Sequence, residues 1–234
     1  MEQSDLLIDG PAEARLTVIL AHGAGAAMDS PFMNTIVAGL AGTGLRVARF
    51  EFPYMRVRRE GGKRGAPDRE PILLEAWRAA IATLGGGERL VIGGKSMGGR
   101  IASMVADEME VRGLICLGYP FHPPGKPDRL RVKNLEALRT PALIIQGTRD
   151  PFGRREEVVT YRLSPAIQFK WLEDSDHSFK PRASSGRTEQ EHLTTAIAAA
   201  ANFIGGLIVN SNIGSNLAAL PFQAWCQTTL RQVR

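Results

Sequence analysis

The chain has 234 residues, 44% of them hydrophobic, so one α/β domain with a substantial core is the simplest count. Its 29 basic and 24 acidic residues leave a net charge of +5, which permits an anionic partner, but no aromatic-interleaved basic array marks a nucleic-acid module. Cys116 and Cys226 are its two cysteines; they give no disulfide framework and no metal-ligand spacing, which points to a reducing compartment and a cytoplasmic location.

The start, Met1-Glu2-Gln3-Ser4-Asp5, is polar and acidic, unlike a secretory leader. Residues 6–8 read as a short edge strand and residues 16–21 as a buried strand. His22-Gly23-Ala24-Gly25-Ala26 follows. Taken as a dinucleotide fingerprint, this stretch fails at Met28, where glycine or alanine is required. Asp29-Ser30-Pro31 starts a helix over residues 32–40, which stops at Gly42. Residues 45–50 form a second core strand, ended by Pro53. Residues 56–69 carry Arg56, Arg58, Arg59, Lys63, Arg64 and Arg69 among three glycines and read as a mobile basic loop. It is either a solvated surface loop or, through Arg58 and Arg59, an electropositive rim for an anionic substrate. Helical spacing over residues 72–84 closes at Gly85-Gly86-Gly87.

Residues 90–92 then read as a buried strand running into Gly93-Gly94-Lys95-Ser96-Met97-Gly98-Gly99, with a helix from Met97 to about Met109. Gly94-Lys95-Ser96-Met97-Gly98 fits G-x-S-x-G, a sharp strand-to-helix turn that presents a serine hydroxyl. Glycines two before and two after leave room for that turn against its neighbours. The helix starts beside the serine, so the Met97 N–H can face an oxyanion. A phosphate loop is excluded because its first glycine would fall at Arg89.

Residues 111–117 read as the next strand. It leads into Gly118-Tyr119-Pro120-Phe121-His122-Pro123-Pro124, a stiff proline loop in which Tyr119 and His122 could touch substrate and His122 serves at most as a wall. A short helix over 132–138, a strand over 141–146, a helix over 156–163, a strand over 167–172 and a helix over 188–204 complete the pattern. Cys116 reads as a core residue and His192 as a surface residue. The best apolar run, 196–209, is interrupted by Asn202 and Gly205-Gly206, so no membrane span is expected. Residues 1–204 make the domain; residues 205–234 make a C-terminal extension, linker-like over 210–216 and weakly helical over 217–233.

Alternating strands and helices imply a mainly parallel sheet of about six to seven strands with helices on both faces. Ligands in such sheets bind at the C-terminal strand edge. His22, Ser96, Tyr119, Asp150 and His177 all follow strand ends. An elbow serine needs a base and a group that orients the base, in the chain order Ser, Asp or Glu, His. Ser96, Asp150 and His177 satisfy that order. His177 would take the Ser96 proton, and Asp150 would fix its tautomer. Asp150 before Pro151 could instead shape a turn, and Asp174 or Asp176 could cap local backbone. The second oxyanion donor would come from the loop after the first core strand, Ala24 first and Gly25 second, with His22 bonding inside that loop.

The stretches HGAGAAMDSPFM, RFEFPYM, GGKSMGGRIAS, GYPFHPPGKP, IIQGTRDPFG and DHSFK resemble the α/β-hydrolase superfamily, most of all its small, lid-poor branch related to dienelactone hydrolases. More narrowly they resemble the testis-expressed 30 and NSL complex subunit 3 types. The resemblance spans residues 16–204. It implies the sheet order, the Ser96, Asp150 and His177 triad, and the Ala24 and Met97 amides as oxyanion donors, and it implies no substrate; chemistry by such a triad is expected to need no metal or organic cofactor. The expected activity is hydrolysis of an ester or thioester of a small acyl substrate, without a lid and without a nucleic-acid or membrane partner. The alternatives are a non-catalytic scaffold of the same fold, or a peptidase or acyltransferase with the same triad.

Overall fold

The computed structural model describes residues 1–2, 5–63 and 65–218. Among the described residues seven strands form one sheet in the order β1-β3-β2-β4-β5-β6-β7. The short β1 (Leu7–Asp9) pairs antiparallel with β3 (Arg46–Phe50). The others, β2 (Thr17–Ala21), β4 (Leu90–Lys95), β5 (Gly113–Leu117), β6 (Ala142–Gly147) and β7 (Ile167–Leu172), run parallel with β3. Every residue of β2, β5 and β6 is buried. Helices cover both faces, which is why these strands read as unbroken apolar runs rather than alternating ones. The edge strand β7 does alternate, with Gln168 and Lys170 exposed.

On one face α1 (Pro31–Gly42) and α7 (Glu189–Ala218) pack Met33, Ile36, Leu40, Ala196, Ala200 and Ile204 against Val18, Leu20 and Val91. On the other, α3 (Glu70–Thr83) and α4 (Met97–Val105) pack Leu73, Trp77, Ile81, Ile101 and Val105 against Ile19, Ile92 and Leu114. The chain goes from β2 outward to β3 and then back past β2 to β4. The order reverses between β2 and β4, so the loops leaving these two strands diverge and open a crevice at the C-terminal edge.

Four sequence expectations change. The basic segment is not all loop: α2 (Pro53–Arg59) occupies its first part. Pro53 ends β3 and also takes the first helical position, where its missing N–H costs nothing, and Tyr54 and Met55 turn inward. The helix after the serine is shorter than expected and stops at Val105. The helix expected over 156–163 shrinks to α6 (Arg155–Val158). The last helix does not stop at residue 204. It continues through Gly205-Gly206 to Ala218, with Leu207 buried and its carbonyl accepting from Arg112 Nη2 at 3.0 Å. Those contacts offset the roughly 1 kcal/mol that each helical glycine costs. The domain edge expected at residue 204 therefore falls inside a helix. The stretch Glu189–Val209 is long and apolar enough to cross a membrane by length and composition. Leu193, Ala196, Ala200, Ile204 and Leu207 are buried against the sheet, which accounts for that apolarity. Cys226 and most of the weakly helical tail lie outside the described residues.

Candidate active site

Ser96 sits between β4 and α4 with φ 51° and ψ −114°. This is a conformation that a side chain raises by about 1–3 kcal/mol and that persists only where the surroundings dictate it. The surroundings do. The Ser96 N–H donates to Leu117 O at 3.0 Å, and Ser96 O accepts from the Arg100 N–H at 3.0 Å. The flanking glycines have no room for a side chain: a Cβ on Gly94 would lie 2.1 Å from Ala21 O, and one on Gly98 would lie 2.5 Å from the same oxygen.

The loop after β6 brings Asp150, and the loop after β7 brings His177. His177 Nε2 lies 2.8 Å from Ser96 Oγ, and His177 Nδ1 lies 2.7 Å from Asp150 Oδ2. The carboxylate can only accept, so Nδ1 carries the proton and Nε2 is free to accept one from the serine. Asp150 is fully buried; the His177 side chain is 19% exposed. Two further donors hold the carboxylate: Gln146 Nε2 at 2.9 Å from Oδ2 and the Phe152 N–H at 2.9 Å from Oδ1. The Gln146 amide is oriented by the Tyr119 N–H, which donates to its Oε1 at 2.7 Å. The Phe152 ring lies over the imidazole, centroid to centroid 4.3 Å. Asp174 and Asp176 are occupied elsewhere. Asp174 pairs with Arg149 and Arg182, and Asp176 Oδ1 accepts the Ser178 and Lys180 N–H groups.

The β2–α1 loop lies against the serine: a Cβ on Gly23 would be 3.7 Å from Ser96 Cβ. Neither the Ala24 nor the Met97 N–H donates to another group among the described residues. His22 braces this loop. Its Nδ1–H donates to Gly23 O at 2.7 Å, and its Nε2 accepts from the Phe52 N–H at 3.1 Å. Burial holds the imidazole below its ordinary pKa, so it stays neutral and keeps both bonds. Tyr54 Oη donates to Ala24 O at 3.0 Å, and buried Glu51 accepts from the Met28 N–H at 3.4 Å.

With this geometry established, comparison with known proteins places the fold. Residues 14–205 match the alpha/beta hydrolase domain family. The chain belongs to that family. Solved structures agree in fold. An alpha-beta serine hydrolase homologue from Coxiella burnetii has 22% identity over 85% of this chain and 94% of its own, with a TM-score of 0.64. Dienelactone hydrolase from Anabaena variabilis has 20% identity over 86% and 90%, with a TM-score of 0.67. A serine hydrolase without lid from Xanthomonas campestris has 19% identity over 83% and 88%, with a TM-score of 0.55. In this alpha/beta hydrolase domain the β5–β6 connection, where a lid would rise, holds just the four-residue α5 (Lys133–Glu136).

The proline loop turns inward the two side chains that its sequence offers as substrate contacts. The Tyr119 ring is buried and packs on Phe121 at 4.8 Å; its Oη donates to Arg131 O, and burial pushes its pKa up to about 12. His122 is buried too, with Nδ1–H donating to Pro123 O. The loop turns down into the core because its aromatic residues join Tyr161 and Phe169 there. Arg59 is spent on Glu51 and Asp29, at 2.7 and 2.9 Å. Arg58 lies over the Tyr54 ring and donates to Gly65 O. Gly25 is exposed and lines a cleft of about 450 Å³ together with Arg58, Arg59 and Met55, so three of the residues the sequence offers as substrate contacts share one surface. His192 is a correction: it is buried, not on the surface, and its Nδ1–H donates to Phe179 O at 3.1 Å. It shares the inward face of α7 with Leu193 and Ala196. Gln146, Glu51 and Lys95 escaped the sequence reading. A lone glutamine in the apolar run Ala142–Gly147 was the signal for the first. Among the described residues no group of three or more His, Cys, Asp and Glu side chains is placed to hold a metal ion.

Proposed function

We propose that this protein hydrolyses carboxylic esters or thioesters through an acyl-enzyme on Ser96. The observation that carries the reading is the continuous chain Ser96 Oγ, His177 Nε2, His177 Nδ1, Asp150 Oδ2, with links of 2.8 and 2.7 Å. His177 Nε2 takes the hydroxyl proton as Oγ attacks the carbonyl carbon. The carbonyl oxygen, now negative, accepts from the Ala24 and Met97 N–H groups. The tetrahedral adduct collapses, the carbonyl–leaving-group bond breaks, and Nε2–H gives its proton to the departing alcohol or thiol. Water then repeats the cycle on the acyl-serine and releases the acid. Asp150, anionic throughout, stabilises the imidazolium that forms twice per turnover.

A β5–β6 connection whose one helix is the short α5 raises no helical lid over the site, which suits short or exposed acyl groups. Arg59 is already paired with Asp29 and Glu51, whereas Arg58 meets a carbonyl and a ring and keeps its charge, so neutral and anionic esters are both tried. The kinship with the testis-expressed 30 and NSL complex subunit 3 types, carried by the six sequence blocks, belongs to this proposal and names no substrate. The test is release of p-nitrophenol from short acyl esters and of thiol from acyl thioesters, by the native protein and by Ser96→Ala. Loss of turnover in the variant supports the reading. Equal rates would remove Ser96 from it, and inactivity across the panel favours a scaffold of the same fold.

A further inference from the structure

Lys95 stands in the elbow itself, between Gly94 and the nucleophile, and its side chain is half-buried. Its Nζ donates a 2.6 Å hydrogen bond to the main-chain carbonyl of His177. The same Nζ lies 5.5 Å from the Phe32 ring centre and 5.6 Å from that of Phe179, and the two rings meet edge to face at 5.4 Å. A lysine in such a place is costly, because desolvating an ammonium loses several kcal/mol. Burial draws its pKa down to about 8. Methionine or leucine would fill the same space without that penalty. What an apolar side chain cannot do is hold a carbonyl.

The loop that bears His177 has other ties, but they run elsewhere. Asp176 fastens the loop to itself through the Ser178 and Lys180 N–H groups. His192 fastens Phe179 to α7. Lys95 fastens it to β4, the strand that ends in the nucleophile. The bond reaches across 82 residues of sequence to the very residue whose ring must meet Ser96.

We propose that Lys95 is a positioning residue: its Nζ fixes the His177 main chain relative to Ser96, so that Nε2 meets Oγ. This deepens the hydrolase reading and rests on it for its catalytic meaning. The groups around Nζ are few. The β6 loop offers Asp150, the β7–α7 loop Asp176, His177 and Phe179, the β5 loop Gly118, and α1 Phe32, while Gly23 of the β2–α1 loop lies against the Lys95 stem. Asp150 and Asp176 favour the ammonium without outweighing burial. As pH rises through about 8 the ammonium becomes an amine. Its bond to the carbonyl then drops from charge-assisted to neutral, roughly half as strong. The hold on His177 loosens and the rate falls on that limb.

The test compares native protein, Lys95→Met and Lys95→Arg. Two readouts are used: the rate at which a fluorophosphonate probe labels Ser96 from pH 6 to 10, and hydrogen–deuterium exchange in the loop carrying His177. Lys95→Met should label about 10- to 100-fold more slowly at pH 7, the scale of loss for a misplaced catalytic group. It should lack the alkaline limb near pH 8, and its His177 loop should exchange faster. Lys95→Arg should recover most of the rate and carry its alkaline limb to higher pH, because a guanidinium keeps its charge. Wild-type rate, pH profile and exchange in Lys95→Met overturn the proposal. If Lys95→Met does not fold, an alkaline limb left near pH 8 in Lys95→Arg overturns it instead. If even the native protein is not labelled, the hydrolase reading fails separately, and unchanged exchange in Lys95→Met overturns the positioning role.

Discussion

Asp150→Asn isolates what the buried carboxylate does. Three donors face it: His177 Nδ1–H and Gln146 Nε2–H on Oδ2, and the Phe152 N–H on Oδ1. An asparagine must place its NH₂ group at one of those two positions. At the Oδ1 position it meets the Phe152 N–H donor to donor. At the Oδ2 position it meets Gln146, whose amide cannot turn without losing the Tyr119 N–H, and it forces His177 to accept at Nδ1. The imidazole proton then sits on Nε2, facing Ser96, and the base is gone. Stability should fall by about 1–3 kcal/mol, the cost of one buried donor left without an acceptor. Activity should fall far more, about 10⁴-fold in kcat, or about 5.5 kcal/mol at 1.36 kcal/mol per decade. The assay is p-nitrophenol release from a short acyl ester, with thermal unfolding measured on the same preparation. A folded variant that keeps its rate within about tenfold of wild type would refute the tautomer argument, since that is far short of the loss the wrong tautomer brings.

Gly98→Ala sets a Cβ 2.5 Å from Ala21 O and 2.6 Å from His22 O, backbone atoms of the central strand and its loop, and should cost about 1–3 kcal/mol in thermal unfolding. Gly205→Ala, inside α7 with nothing within 4 Å of the new carbon, should instead gain about 0.4–1 kcal/mol; the opposite order would contradict the packing described. Arg59→Ala strips Glu51, which is 3% exposed, of its guanidinium partner and loosens the β2–α1 loop through Met28. It should lower stability by about 1–3 kcal/mol and kcat more than KM, whereas unchanged steady-state constants would separate that loop from the oxyanion role. His22 supplies a pH dependence of stability. Its pKa is lowered in the fold from 6.5, so below that pH the unfolded chain binds a proton that the folded one refuses. Stability should therefore drop as pH falls below about 6.5, and His22→Gln should flatten that drop in melting curves taken from pH 7 to 5.

Much of this was legible in the sequence because the sheet is covered on both faces. Runs such as Val18 to Ala21 or Leu114 to Leu117 have no polar side to confuse the period, and each strand end then flags its loop. Ser96, Asp150 and His177 were found from that regularity and the chain order of the three residue types. What escaped depends on contacts between distant segments. Proline at 53 has two opposite readings, as a stop for β3 or a start for α2, and the buried Tyr54 decides between them. Gly205-Gly206 looked like a break, but Leu207 and the Arg112 bond beneath it carry α7 onward. Tyr119 and His122 sit in a loop whose composition suggests a rim. Their burial is set by Phe121, Tyr161 and Phe169, aromatic residues from three separate stretches. Lys95 was invisible as anything beyond an elbow spacer, because its partner is a carbonyl, and carbonyls leave no mark in a sequence.

The central claim is that the hydroxyl of Ser96 becomes covalently acylated. Rapid acid quench of the protein with a p-nitrophenyl ester, followed by intact-mass and peptide-mapping spectrometry, addresses it directly. A single acyl increment on the peptide holding Ser96, absent in Ser96→Ala and fading as product forms, is the expected result. An increment on another residue, or turnover that proceeds undiminished in Ser96→Ala, would contradict it.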